Sequence, residues 1–174
     1  MSLPARGLQP PIAPGAVTID LNGFSVKGAS GSLSGIVDST GFVVLHVRNG
    51  TVNGWPGVGI DGAQTVDRMV VAGNAAVGIY SQAASIVTGC IVSANGANGG
   101  YGVDAGPGSI IADCVVQYNG GSAGGGGIAA GDNSRVARCV VGSNAMAVNG
   151  GIGYGIYVGY DCDVAECRVD NNGS

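Results

Sequence analysis

The chain has 174 residues, enough for one domain with its own core; 35 are glycine, 10% are charged, 5% are aromatic, and the formal net charge is −4. Seven scattered basic residues argue against a nucleic-acid partner, which needs clustered Lys and Arg. No apolar run reaches the roughly 18 residues of a membrane helix, glycine lacks the strict period of collagen, and a mean hydropathy of +0.34 argues against disorder.

In chain order, residues 1–16 hold four of the six prolines and are expected to form an N-terminal segment that caps one end of the fold. They lack the apolar stretch of a signal peptide. Either the protein is not exported by that route, or this chain begins after the signal.

From residue 17 to 174 one frame recurs. It reads LNGFSVKG (21–28), VRNGTVNGW (47–55), VDRMVVAGN (66–74), VTGCIVSAN (87–95), IADCVVQYN (111–119), VARCVVGSN (136–144) and VAECRVDNN (164–172). Cys90, Cys114, Cys139 and Cys167 follow one another at intervals of 24, 25 and 28 residues, and Asn95, Asn119, Asn144 and Asn172 each come five residues later. Asn74 holds the same place in the copy whose cysteine position is Met69. A glycine followed by an aliphatic falls once between copies, at Gly35-Ile36, Gly59-Ile60, Gly78-Ile79, Gly102-Val103, Gly127-Ile128 and Gly155-Ile156.

A repeat of 19 to 28 residues, rich in β-branched residues and with variable Gly-rich loops at 96–102, 120–127 and 145–155, predicts an all-β parallel solenoid. About seven coils of three short strands are expected, wound right-handed by the usual crossover preference. Leucine-rich repeats need a leucine ladder that five scattered leucines cannot supply.

The pattern Ile/Val-x-x-(Asn or small)-x-Ile/Val-x-x-Asn, followed by a loop and Gly-Ile, resembles the parallel β-helix repeats of the pectin-lyase-like superfamily. Residues 17–55 are similar to the opening coils of many bacterial proteins of that type. The resemblance implies a secreted or cell-surface parent protein, of which this chain is expected to be a fragment. It implies no single function, because the superfamily holds lyases, hydrolases, esterases, tailspikes, adhesins and coils without catalysis.

Stacking turns each position of the frame into a column with a step of about 4.8 Å. Three columns are expected inside, led by Ile36, Val47 and Val26 and ending at Ile156, Val164 and Val169. The cysteines are expected at a bend, side by side, as free buried thiols rather than disulfides; no His accompanies them as zinc sites would need. Cys162 falls outside the frame, at a turn. Asn49, Arg68, Gly89, Asp113, Arg138 and Glu166 are expected to face outward as a surface ion ladder. His46 reads as a surface or core-edge histidine, and Trp55, in the Asn position of its coil, as a plug for the early turn.

The residues after each Gly-aliphatic pair form one further outward column containing Asp61, Tyr80, Asp104 and Tyr157. Asp61 and Asp104, two coils or about 9.6 Å apart, are the weak candidates for a catalytic pair, near the upper end of the spacing in inverting glycosidases. Tyr80 between them and Tyr157 beyond would contact glycan. The Asn-Thr-Asp, Asp-Asp, Gly-His-Gly and Arg-Ile-Lys motifs of the hydrolases that the chain resembles are not in the sequence. The calcium-dependent lyases would call for an acidic cluster and a base, where the later coils offer only Arg135, Arg138 and Arg168. The expectation is therefore a non-catalytic stiff scaffold with polysaccharide as partner, with no metal and no cofactor, Ca²⁺ entering only in the lyase case. The end opposite the expected cap, which stops at NNGS directly after the seventh copy, is expected to stack on further repeats or on another molecule, and copies of the chain are expected to be able to self-associate end to end or side by side.

Overall fold

A computed structural model describes residues 15–29, 31, 33–39, 44–121, 124–144 and 153–173. The expected cap over 1–16, apart from its last two residues, and most of loop 145–155 lie outside the described residues.

The strands follow the chain as β1 (Ala16–Asp20), β2 (Ser25–Lys27), β3 (Ile36–Val37), β4 (Val44–Asn53), β5 (Ile60–Ala72) and β6 (Ile79–Thr88). From there each coil has three short pieces: β7 (Ile91–Ser93), β8 (Gly100–Ala105), β9 (Ile110–Ala112), β10 (Val115–Gln117) and β11 (Gly125–Ala130). The last are β12 (Arg135–Ala137), β13 (Val140–Gly142), β14 (Gly153–Val158), β15 (Asp163–Ala165) and β16 (Arg168–Asp170). Every strand pairing is parallel, and the described residues contain no helix, hence none long enough to cross a membrane.

Three faces result. Face A stacks β3, the starts of β5 and β6, then β8, β11 and β14; face B runs from β1 to β15, and face C from β2 to β16. Faces B and C have seven rungs and face A six, so the seven expected coils amount to about six turns of solenoid. In register, Ile36, Ile60, Ile79, Val103, Ile128 and Ile156 form one inner column. Val47, Val66, Val87, Ile111 and Val136 form the second, and Val52, Val71, Val92, Val116 and Val141 the third, all fully buried. Each such side chain contributes about 1.5–3 kcal/mol relative to exposure. Val164 and Val169 keep the register but are 45% and 49% exposed, because no further described rung covers them.

The corners share one design. Between faces B and C the chain turns through a left-handed residue, at Asn49, Arg68, Gly89, Asp113, Arg138 and Glu166, with φ between 48° and 61°. The next residue, Met69, Cys90, Cys114, Cys139 or Cys167, then points inward. The expected outward ladder is there, and its six residues are also the bend itself: all but the half-buried Asn49 are exposed, and Arg68 Nε donates to Asn49 Oδ1 at 3.0 Å. Only the Arg138–Asp113 contact within it is a two-pronged ion pair, 2.7 Å on each prong.

After face C the left-handed residue is Gly54, Gly73, Ala94, Tyr118, Ser143 or Asn171, and the inward residue Trp55, Asn74, Asn95, Asn119, Asn144 or Asn172. Between faces A and B it is Ala84, Gly108, Asn133 or Asp161, and the inward residue Ser85, Ser109, Ser134 or Cys162. Cys162 is therefore in frame: the Ser134 N–H donates to its Sγ at 3.4 Å, as the Ser109 N–H donates to Ser134 Oγ at 3.1 Å.

The asparagine column is fully connected. From Asn95 to Asn172 each Oδ1 accepts from both the backbone N–H and the side-chain Nδ2 of the preceding asparagine, at 2.8–3.1 Å. Each Nδ2 from Asn95 onward also donates to a face C carbonyl one coil back, Val71, Val92, Val116 or Val141. Trp55 takes the same place: its N–H donates to Asn74 Oδ1 at 3.0 Å and its indole Nε1 to Val26 O at 3.4 Å. The glycines of the Gly-aliphatic pairs belong to the same device. A Cβ on Gly59, Gly78, Gly102, Gly127 or Gly155 would stand 2.6–2.8 Å from the Nδ2 of Asn74, Asn95, Asn119, Asn144 or Asn172.

Candidate functional site

The cysteine column is structural in its geometry. All five cysteines are free, and Cys90, Cys114 and Cys139 are buried. Each thiol of the column donates to the carbonyl two residues before it, at 3.2–3.3 Å. The hydrogen bond with Cys114, and then burial, hold the Cys139 thiol well above its ordinary range. The Cys90 thiol is drawn the other way, lowered by its own hydrogen bond with Cys114 against the opposing effect of burial. Among the described residues no three His, Cys, Asp or Glu side chains converge to hold a metal ion. His46 is half-buried on face B, in register with Thr65, away from the carboxylates of face A.

Face A is where aromatic and acidic groups meet. Strand register stacks Val37, Asp61, Tyr80, Asp104, Ala129 and Tyr157 in one outward column, so Asp61 and Asp104 are two rungs apart with Tyr80 between them. Tyr80 and Tyr157 are 46% and 52% exposed. A parallel outward column adds Tyr101, Gly126 and Tyr154. The Tyr154 and Tyr157 rings lie 5.3 Å apart at 52°, and the Tyr101 ring edge covers Gly126, where a Cβ would stand 3.1 Å from its Cε1. Sequence reasoning missed Tyr101 and Tyr154. The signal was present, an aromatic two residues before the Gly-aliphatic strand's inward residue, in GYGV (100–103) and GYGI (153–156).

The column also makes a notch. Ala129 is the small rung between Asp104 and Tyr157, and there the surface sinks into a pocket of about 280 Å³ lined by Asp104, Ala129, Asp132, Tyr157 and neighbouring small residues. Asp132, also missed, stands on the turn that ends face A, its Oδ1 accepting the Tyr160 N–H at 2.8 Å.

Burial pushes the Asp104 carboxyl above its ordinary range. For Asp61 burial does the same and the charge of Asp38 adds to it. Burial raises the Tyr101 hydroxyl as well, with Tyr154, Asp104 and Tyr157 contributing in that order. Chemically the face offers aromatic surfaces flanked by hydrogen-bond acceptors. Among the described residues it brings no Lys, Arg or His side chain to them.

No family model, no curated protein and no solved structure matches this chain.

Proposed function

We propose that the chain is a non-catalytic, stiff solenoid module that holds glycan along face A. The observation that carries this reading is the in-register array of Tyr80, Tyr101, Tyr154 and Tyr157 with Asp61 and Asp104 on one side of a rigid stack. The C–H faces of sugar rings stack on such rings, and sugar hydroxyls donate to the carboxylates between them. The repeat spacing of about 4.8 Å per rung is fixed by backbone pairing, so the array is preformed and binding costs little ordering. Kinship with the pectin-lyase-like superfamily and a bacterial parent, secreted or at the cell surface, belong to the same proposal, supported by the frame of the seven copies.

A second reading, polysaccharide cleavage by Asp61 and Asp104, is supported by both carboxyls being raised, as a proton donor requires. Their separation of two rungs, about 9.6 Å by strand spacing, stands at the upper end of the inverting arrangement. It ranks second because, among the described residues, face A brings no cation beside the pair, and the hydrolase motifs are not in the sequence. A glycan array on the intact chain, followed by incubation with pectin, alginate and host-type glycans, separates the two. Binding without new reducing or unsaturated ends is expected. New chain ends that vanish in Asp61→Ala and Asp104→Ala would move the assignment to the enzyme, and an empty array would remove the glycan reading.

A further inference from the structure

The charges of the molecule are sorted by face. Every arginine among the described residues pairs with an aspartate on face B, on face C or at their shared corner: Arg48 with Asp20, Arg68 with Asp67, Arg135 with Asp163, Arg138 with Asp113 and Arg168 with Asp170. Lys27 lies in β2 on face C. Asp61, Asp104 and Asp132 sit on or beside face A, and no ion pair reaches them among the described residues. Of the side chains outside the described residues, Arg6 alone is charged.

We infer that the notch over Ala129 admits saccharide units free of acidic groups and turns away uronate chains. The inference rests on the glycan reading of face A and narrows its ligand class. Three features carry it. The notch spans two rungs, about 9.6 Å, between the Tyr157 ring and the Asp104 carboxyl. Its volume of about 280 Å³ falls just below the roughly 300–1,000 Å³ of drug-sized pockets, which suits one ring of a longer chain. Among the described residues its only charged lining groups are Asp104 and Asp132. A hydroxyl donates to either carboxylate; a second carboxylate in the same cleft meets like charge in a partly desolvated place, where repulsion is strong. A uronate-binding cleft would need Arg or Lys at this point, and the arginines among the described residues are engaged on the other two faces.

The test is a calorimetric titration of the intact chain at low ionic strength. Uncharged glucose-, mannose-, xylose- and galactose-based oligosaccharides are compared with galacturonate and mannuronate oligomers of equal length. At least one uncharged series is expected to bind about tenfold or more tightly than either uronate, the gap narrowing as salt is added. Ala129→Leu, which fills the notch from an outward position, should abolish that binding with the melting temperature held. Asp104→Asn combined with Asp132→Asn, near-isosteric and keeping the acceptor for the Tyr160 N–H, should tighten uronate binding relative to the uncharged series. Uronates binding as well as or better than uncharged chains would overturn the inference and leave the glycan reading standing. Binding of neither class would remove both.

Discussion

Asn119 shows what a single residue does in this stack. Its Oδ1 accepts from the Asn95 N–H and Nδ2, and its own Nδ2 donates to Val92 O, Gln117 O and Asn144 Oδ1. Asn119→Ala would leave buried partners on both neighbouring rungs unsatisfied, each costing about 1–3 kcal/mol. A total loss of about 2–4 kcal/mol is expected in denaturant unfolding, with neighbouring rungs relaxing enough to recover the rest. Asp104 acts in the opposite sense. Its carboxyl is raised above its ordinary 3.8 by burial, so the folded state binds the proton more tightly than the unfolded one. Stability on this account falls as pH rises from 3.8 through the raised value, and the cost persists at neutral pH. Asp104→Asn should therefore melt higher than the wild type at pH 7, with the advantage gone once the pH is below the ordinary value; melting curves across pH check the sign.

At the scale of the coil, the corner is the unit: one left-handed residue and one inward side chain that bonds to the next rung. Two of the three ladders were legible in the sequence, because cysteine is rare and the Asn always follows five residues later. The third was not, since Ser85, Ser109 and Ser134 do not stand out among many serines and its last rung is Cys162, a different residue. The left-handed positions were hidden too. Gly, Asn, Asp, Arg, Ala, Ser and Tyr all occupy them, and only the neighbouring inward residue gives them away. The Gly-aliphatic pair was visible as a pattern, whereas its cause, contact with the asparagine amide, needed the third dimension. Gly102→Ala should cost about 1–3 kcal/mol, since the new Cβ would meet Asn119 Nδ2 at 2.6 Å and Val116 Cγ1 at 2.8 Å. Urea unfolding of this variant beside Asn119→Ala would show whether glycine and asparagine act as one unit, through a double-mutant effect smaller than the sum.

For the whole molecule, the architecture followed from period and composition because a solenoid is close to one-dimensional: each coil touches its neighbours, so sequence frame maps directly onto columns. The same mapping put Asp61, Tyr80, Asp104 and Tyr157 on one line before any coordinates. It did not reveal the notch, which depends on a small residue, Ala129, between two large ones and on Asp132 closing the side from a turn. Nor did it reveal that Asp61, Asp104 and Asp132, which no ion pair reaches among the described residues, gather on or beside face A, because charges dispersed along the chain are sorted only once the faces exist. The central claim, that face A is the ligand-holding surface, is tested most directly by NMR. The measurement follows tyrosine ring and valine methyl signals while the best-binding oligosaccharide from the array is added. The Tyr101, Tyr154 and Tyr157 rings are expected to shift together while Val70 and Val115 on face C stay in place; shifts centred on face C, or none at the tyrosines, would contradict it.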